Sequence, residues 1–393
     1  MKRSIRDVDV SGKTVLVRVD YNVPLGADGR VADASRIVAT LPTLRLLRER
    51  GATVVLMAHF GRPKGERRPE MSLAPVAREL SSQLGIPVTM AEDCVGPQAW
   101  EAVRRLRRGD VCLLENLRFH AEEEKNDPDF ARKLAALADL YVNDAFGTAH
   151  RAHASTVGVC AFLPAYAGLL MEKEVSALGG LLSEPRRPFV AIVGGAKVST
   201  KLAVLESMLE RVNVLLIGGG MANTFLRARG LKVGASLLEA DLVETAAGLL
   251  DKATARGVEL LLPTDVVVAE AVREGADART VGVDAVPDGW AIVDIGAATA
   301  ARYDSVVGAA GTVLWNGPMG VFEIAAFGAG TRAVAESLAR SGATTVIGGG
   351  ESVAAVEQLG LTDKMTHIST GGGATLEFLE GRELPGVAAL ADV

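Results

Sequence analysis

A chain of 393 residues that is 49% hydrophobic and 23% charged can build two domains of ordinary size with separate cores, which excludes disordered, collagenous and fibrous classes. No apolar run approaches the roughly 18 to 20 residues of a membrane span, and Met1-Lys2-Arg3 leads into polar Ser4–Asp9, so a soluble cytoplasmic protein without membrane contact is expected. The net charge of −6 is uneven, with 24 basic against 21 acidic side chains over residues 1–170 and 18 against 27 thereafter, which disfavours nucleic acid and suits a small anion on the first half.

Strand Thr14–Val19 precedes helix Ala34–Arg50, strand Thr53–His59 precedes helix Leu73–Leu84, and strands Val111–Leu114 and Leu140–Val142 follow. A helical stretch Glu172–Leu182 then meets Ser183–Pro188, whose two prolines and two arginines stop the helix and mark a domain boundary. Beyond it come strand Phe189–Val193, helix Lys197–Glu210, and strands Val214–Ile217, Glu259–Leu262, Ala291–Asp294 and Thr312–Trp315. Helix Thr331–Arg340, strand Thr344–Ile347 and helix Ser352–Leu359 complete the alternation. Continuous apolar strands are buried on both faces, which implies doubly wound, mainly parallel α/β sheets. The expected division is a first domain over 1–170, a connecting helix and hinge over 171–188, and a second domain over 189–379. The segment 380–393 is a candidate to pack back on the first.

Four glycine clusters sit at strand ends or loops of the second half: Gly194-Gly195, Gly218-Gly219-Gly220, Gly348-Gly349-Gly350 and Gly371-Gly372-Gly373. Glycine there lets backbone approach a ligand, and a following helix offers free amides to phosphate, so a nucleotide crevice is expected. Neither GxxxxGK[ST] nor a GxGxxG opening a βαβ unit is present, so the P-loop and dinucleotide fingerprints are excluded. Lys197 and Lys201, four apart on the expected helix, would project two ammonium groups from one face toward a polyphosphate. In the first half Arg18, Asp20, Asn22, His59, Arg62, Arg118, His150, Arg151 and His153 follow strands, with Arg36 on the next helix. Guanidinium forks suit a small ligand bearing carboxylate and phosphate. The histidines lack the HExxH spacing of a zinc site and are better anion donors, while Glu122-Glu123-Glu124 reads as a solvated face. Cys94, Cys112 and Cys160 lack CxxC spacing and are expected to pack as small apolar side chains.

Eight ordered stretches give the chain a resemblance to phosphoglycerate kinases over essentially its full length. They read RVDYNVP (Arg18–Pro24), HFGRP (His59–Pro63), LENLRF (Leu114–Phe119), NDAFGTAHRAHAS (Asn143–Ser155), GGAKVSTK (Gly194–Lys201), GGGMANTF (Gly218–Phe225), WNGPMGVFE (Trp315–Glu323) and STGGGATLEFLEG (Ser369–Gly381). The resemblance implies two Rossmann-like domains joined by a hinge, one binding 3-phosphoglycerate or 1,3-bisphosphoglycerate and the other ADP or ATP with Mg²⁺, in a monomer. By position it implies that Asp20, Asn22, Arg36, His59, Arg62, Arg118 and Arg151 hold the triose anion. It assigns Lys201, Asn316, Glu323, Gly349, Gly350, Glu351 and Ser352 to the nucleotide, with Gly195, Ala196, Gly218 and Gly219 flanking adenine and ribose. Lys197, Arg36 and the amides of Gly371, Gly372 and Gly373 would surround the transferring phosphoryl group.

Departures from the family pattern are Glu351 where Asp is usual, which bears on magnesium, and WAIVDIG, which puts Ile292 and Val293 on the expected adenine wall. Ala297 replaces a common proline in the same loop. The competing classes are an NAD-dependent dehydrogenase, disfavoured by the missing GxGxxG, and a non-catalytic nucleotide-binding scaffold, which has no need of Arg36, Lys197 and Gly371–Gly373.

Overall fold

The computed structural model describes residues 2–393. The chain divides into two compact units, Met1–Ser176 with Glu383–Val393 and Ala177–Arg382. This division falls inside a helix, upstream of the Ser183–Pro188 segment.

The first unit contains strands β1 (Thr14–Arg18), β2 (Thr53–Met57), β3 (Val88–Met90), β4 (Val111–Leu113), β5 (Leu140–Asn143) and β6 (Ala165–Ala167). They form one all-parallel sheet in the order β3-β4-β2-β1-β5-β6. Helices α1 (Ser35–Glu49), α2 (Ala74–Leu84), α3 (Gly96–Arg104), α4 (Pro128–Ala135) and the start of α5 (Leu169–Ser183) accompany it. Each central strand is apolar on consecutive residues because both faces are covered. Val15, Val17, Val54 and Leu56 pack with Ile37, Leu41 and Leu44 of α1 and Val76 and Leu80 of α2. Burying each such side chain contributes about 1.5–3 kcal/mol. The buried Asp144 carboxylate accepts the Leu170 and Met171 amides and so caps α5.

The second unit repeats the plan with β7 (Phe189–Val193), β8 (Val214–Ile217), β9 (Glu259–Leu261), β10 (Asp265–Ala269), β11 (Ala278–Gly282), β12 (Ala291–Ile295), β13 (Thr312–Asn316), β14 (Thr344–Gly348) and β15 (His367–Ile368). Its main sheet, β15-β14-β13-β7-β8-β9, is parallel throughout. Helices α6 (Leu202–Leu209), α7 (Met221–Ala228), α8 (Val243–Ala255), α9 (Ala297–Gly308), α10 (Ala329–Arg340), α11 (Gly350–Gln358) and α12 (Gly373–Leu379) belong to this unit, whereas α13 (Pro385–Ala388) returns to the first. The core joins Ile192, Leu216, Val313 and Trp315 to Tyr303, Val334 and Val356 from the helices. No described helix is long and apolar enough to cross a membrane.

Two expectations require correction. Ala291–Asp294 was expected in a parallel sheet, but β12 pairs antiparallel with β10 in a separate three-stranded sheet, β11-β10-β12. Only Leu262–Thr264 link β9 to β10, too short a connection for the crossover that a parallel neighbour needs. The helix expected over Lys197–Glu210 begins only at Leu202, so Lys197 and Lys201 do not share a helix face. Ser199 gives its amide and hydroxyl to Glu239, and the Thr200 hydroxyl bonds the Lys197 carbonyl, which holds the segment as a turn.

Candidate active site

In the first unit the strand order reverses beside β1, and open α/β sheets take ligands outside the carboxyl ends of strands at such a point. Asp20 and Asn22 follow β1, His59 follows β2, Arg118 follows β4, and Arg151 and His153 lie in the segment after β5. Arg36, in the first turn of α1, pairs with Asp20 at 2.5 Å. Asn22 Oδ1 accepts the Gly61 amide at 2.9 Å, and Arg118 donates to the Gly61 carbonyl at 2.9 Å, so the HFGRP loop is held from both sides. Arg62 and Arg151 are exposed, and Arg151 Nε donates to His150 Nε2.

Arg18, which the resemblance did not assign, is 1% exposed and stands behind this group. It donates to the Val19 carbonyl, to Ser155 Oγ at 2.8 Å and to His59 Nδ1 at 3.1 Å. Burial, reinforced by Arg18, Arg118 and Arg36, holds the pKa of His59 well below its ordinary value. Burial, with Arg18, Arg118 and Arg151, brings His153 down to about 4. Both imidazoles are therefore neutral at pH 7, surrounded by guanidinium groups that carry the positive charge. Such a surface has the charge and the neutral donors that suit an anion.

Glu123 corrects the solvated reading of the acidic run. It is fully buried, accepting the Ser155 amide at 3.0 Å and hydroxyl at 2.5 Å. Burial raises the pKa of this carboxyl, and the Arg18 guanidinium and the two Ser155 hydrogen bonds oppose that shift and favour the charged form. Among the described residues, the ligand-type atoms of Asp93, Cys94 and His120 also lie close together. There Asp93 Oδ1 already accepts from His120 Nε2 and the Cys94 amide, so this group satisfies itself. Cys94 and Cys112 are buried and free, as small apolar side chains would be, and Cys160 is half-buried.

In the second unit the switch point lies between β7 and β13, and the loops after these strands approach through glycine. A Cβ on Gly317, whose φ is +97°, would stand 2.2 Å from the Gly194 carbonyl oxygen, so any larger residue is excluded. Beside these loops is a cavity of about 370 Å³. Gly195, Ala196 and Gly219 form one wall, Ile292 and Val293 of β12 another, and Glu323 and Glu351 also line it. Gly218 does not line it but packs on Met319.

Lys201 donates to Asn316 Oδ1, and burial lowers its pKa while Glu351 opposes the shift. Lys197 is exposed on its turn. Ser352 is fully buried, and its Oγ accepts the Gly317 amide at 2.6 Å, while Gly349 and Gly350 start α11. Gly371 and Gly372 lead into α12, whose first residue is Gly373. Sequence reasoning missed Asp294, a cavity-lining carboxyl that accepts the Ile295 and Gly330 amides and is pushed up to about 7 by burial. An acid at the end of an apolar strand was the available signal.

The cavity thus offers an apolar slot with backbone groups along one edge and carboxylates at another, the composition of a small-molecule site. A phosphoglycerate kinase family model matches residues 5–382. Phosphoglycerate kinases of Moorella thermoacetica and Herpetosiphon aurantiacus are 57% and 58% identical, each alignment covering 100% of this chain and 99% of the relative. The solved phosphoglycerate kinase of Coxiella burnetii superposes with a TM-score of 0.90 at 43% identity, covering 99% of this chain and 98% of that one.

Proposed function

The chain belongs to the phosphoglycerate kinase family, phosphotransferases with a carboxyl group as acceptor, and on that premise we propose that it moves a phosphoryl group reversibly between 1,3-bisphosphoglycerate and ADP. The observation that carries this reading is the convergence of Arg18, Arg36, Arg118 and Arg151 around His59 and His153 in the first unit. In the direction of ATP use, a carboxylate oxygen of 3-phosphoglycerate forms a bond to the γ-phosphorus while the bond to the β-bridging oxygen breaks, giving ADP. The nucleophile is already ionised at neutral pH, so no general base is needed.

Charge in the transition state spreads over the three equatorial oxygens, and the residues around it act by position and charge. Arg36 and Lys197 supply cations, and the Gly371–Gly373 amides supply donors. Asp20, Asn22, His59, Arg62, Arg118 and Arg151 hold the triose. Gly195, Ala196, Gly218 and Gly219 flank adenine and ribose, and Lys201, Asn316, Glu323 and the backbone of Gly349–Ser352 face the phosphates, the Ser352 hydroxyl being committed to the Gly317 amide. Glu351 is an exposed carboxylate on the cavity wall, an oxygen donor of the kind a hard ion takes, and would hold Mg²⁺ directly or through water. When bound with the nucleotide, Mg²⁺ offsets phosphate charge. Closure about the 171–188 segment would bring the two substrates into line and exclude water.

The test is ADP phosphorylation by 1,3-bisphosphoglycerate with purified protein. ATP formation dependent on both substrates is the expected result. Absence of turnover, with binding of ADP alone, would leave a nucleotide-binding scaffold.

A further inference from the structure

Behind the proposed triose site runs a chain of hydrogen bonds whose direction is fixed at every link. The Glu123 carboxylate accepts the Ser155 amide and the hydroxyl proton, the latter at 2.5 Å. With its one proton committed, Ser155 Oγ turns a lone pair to Arg18 Nε at 2.8 Å. A guanidinium has no acceptor, so the 3.1 Å contact between Arg18 and His59 Nδ1 has the imidazole accepting. The neutral ring therefore carries its proton on Nε2. Asp20 Oδ1 is 4.0 Å from His59 Nδ1, too far to compete for that nitrogen. Arg18, Ser155 and Glu123 are each at most 1% exposed, so water does not substitute for a missing link.

We propose that Glu123 and Ser155 are positioning residues that, through Arg18, fix His59 as the Nε2–H tautomer and so present a neutral donor to the triose anion. The inference rests on the proposed reading of this unit as the triose site. Its logic is that of an orienting carboxylate acting through an intermediary: the acid never meets substrate, yet it decides which nitrogen of the ring can donate. Removing the Ser155 hydroxyl leaves both buried charges in place but breaks the directional link, so the guanidinium can turn and the ring can take either tautomer.

The experiment uses full-length protein labelled with ¹⁵N-histidine, with the His59 signals identified by their loss in His59→Gln. In the unsubstituted protein at pH 7, without ligand, long-range ¹H–¹⁵N correlations should show a protonated Nε2 and a lone-pair Nδ1. Ser155→Ala should give mixed tautomers and raise the KM for 3-phosphoglycerate about tenfold, with the KM for ATP within about twofold and kcat within about threefold. Glu123→Gln should lose more. If that variant does not fold, Ser155→Ala carries the comparison. An Nδ1–H tautomer or an imidazolium in the unsubstituted protein would overturn the proposal, as would unchanged tautomer and KM in Ser155→Ala. The spectra need no substrate, so a protein that failed to phosphorylate 3-phosphoglycerate would refute the functional reading while leaving the tautomer result to stand or fall alone.

Discussion

Ser352→Ala separates two roles for one hydroxyl. The resemblance assigns Ser352 to the nucleotide, whereas the structure gives its Oγ a partner inside the protein, the Gly317 amide at 2.6 Å. Gly317 is pressed against Gly194, where a Cβ would be 2.2 Å from the carbonyl oxygen, so its loop cannot slide to find another acceptor. Deleting the hydroxyl leaves a buried amide unpaired, at a cost of about 1–3 kcal/mol. In a unit of roughly 200 residues each kcal/mol lowers Tm by about 2–4 °C, so calorimetry should show the Ala177–Arg382 unit melting roughly 2–12 °C lower. The difference should persist under saturating ADP, with the ADP Kd altered less than about threefold. An unchanged melting temperature together with tenfold weaker ADP binding would refute the argument and return the hydroxyl to the nucleotide.

Arg36→Ala should lower kcat by about 10²–10³-fold, the typical loss when one preorganised donor to a transition state is removed. The ADP Kd from equilibrium dialysis should stay within about twofold, and a comparable loss of ADP affinity would contradict the assignment of Arg36 to the triose side. Burial pushes the Asp294 carboxyl up to about 7 from its ordinary 3.8, so its stabilising contribution is complete below the unfolded value and is lost as pH rises through the folded one. The stability of wild type relative to Asp294→Asn should fall by roughly 2 kcal/mol between about pH 5.5 and 7. Urea unfolding followed by Trp290 and Trp315 fluorescence measures this, and a pH-independent difference would dispose of the buried protonated carboxyl.

The central strands were legible because burial on both faces forces consecutive apolar, often β-branched residues, as in Phe189–Val193 and Val214–Ile217, whose observed ends match the expected ones. Of the edge strands, β9 was legible, but the two edges of the first unit's sheet were not. Val88–Met90 and Ala165–Ala167 are three residues each, and only a partner on one side distinguishes them from loop. Lys197 looked helical because residues 197–210 carry helical spacing, but the decisive partner, Glu239, lies far along the chain. Glu123 shows the same limit in electrostatic form. Three consecutive glutamates normally face water, and nothing local announces that Arg18 and Ser155 wait across the fold for the middle one. Candidate ligand contacts were accessible through motif resemblance and Arg18 through its place at a strand end, whereas the partners of Arg18 and the roles of Asp294 and Glu123, which set charge and protonation, emerge only from three-dimensional neighbours.

The first unit is discontinuous, since Glu383–Val393 is part of it. Gly386 donates its amide to the Ala149 carbonyl at 2.8 Å and accepts from Asn143 Nδ2 at 3.2 Å, which braces the stretch leading to Arg151. The brace is thus a long-range contact that closes a loop holding the whole of Ala177–Arg382. Peeling Glu383–Val393 away would therefore loosen the arginine loop while leaving every residue that lines the second unit's cavity in its own unit.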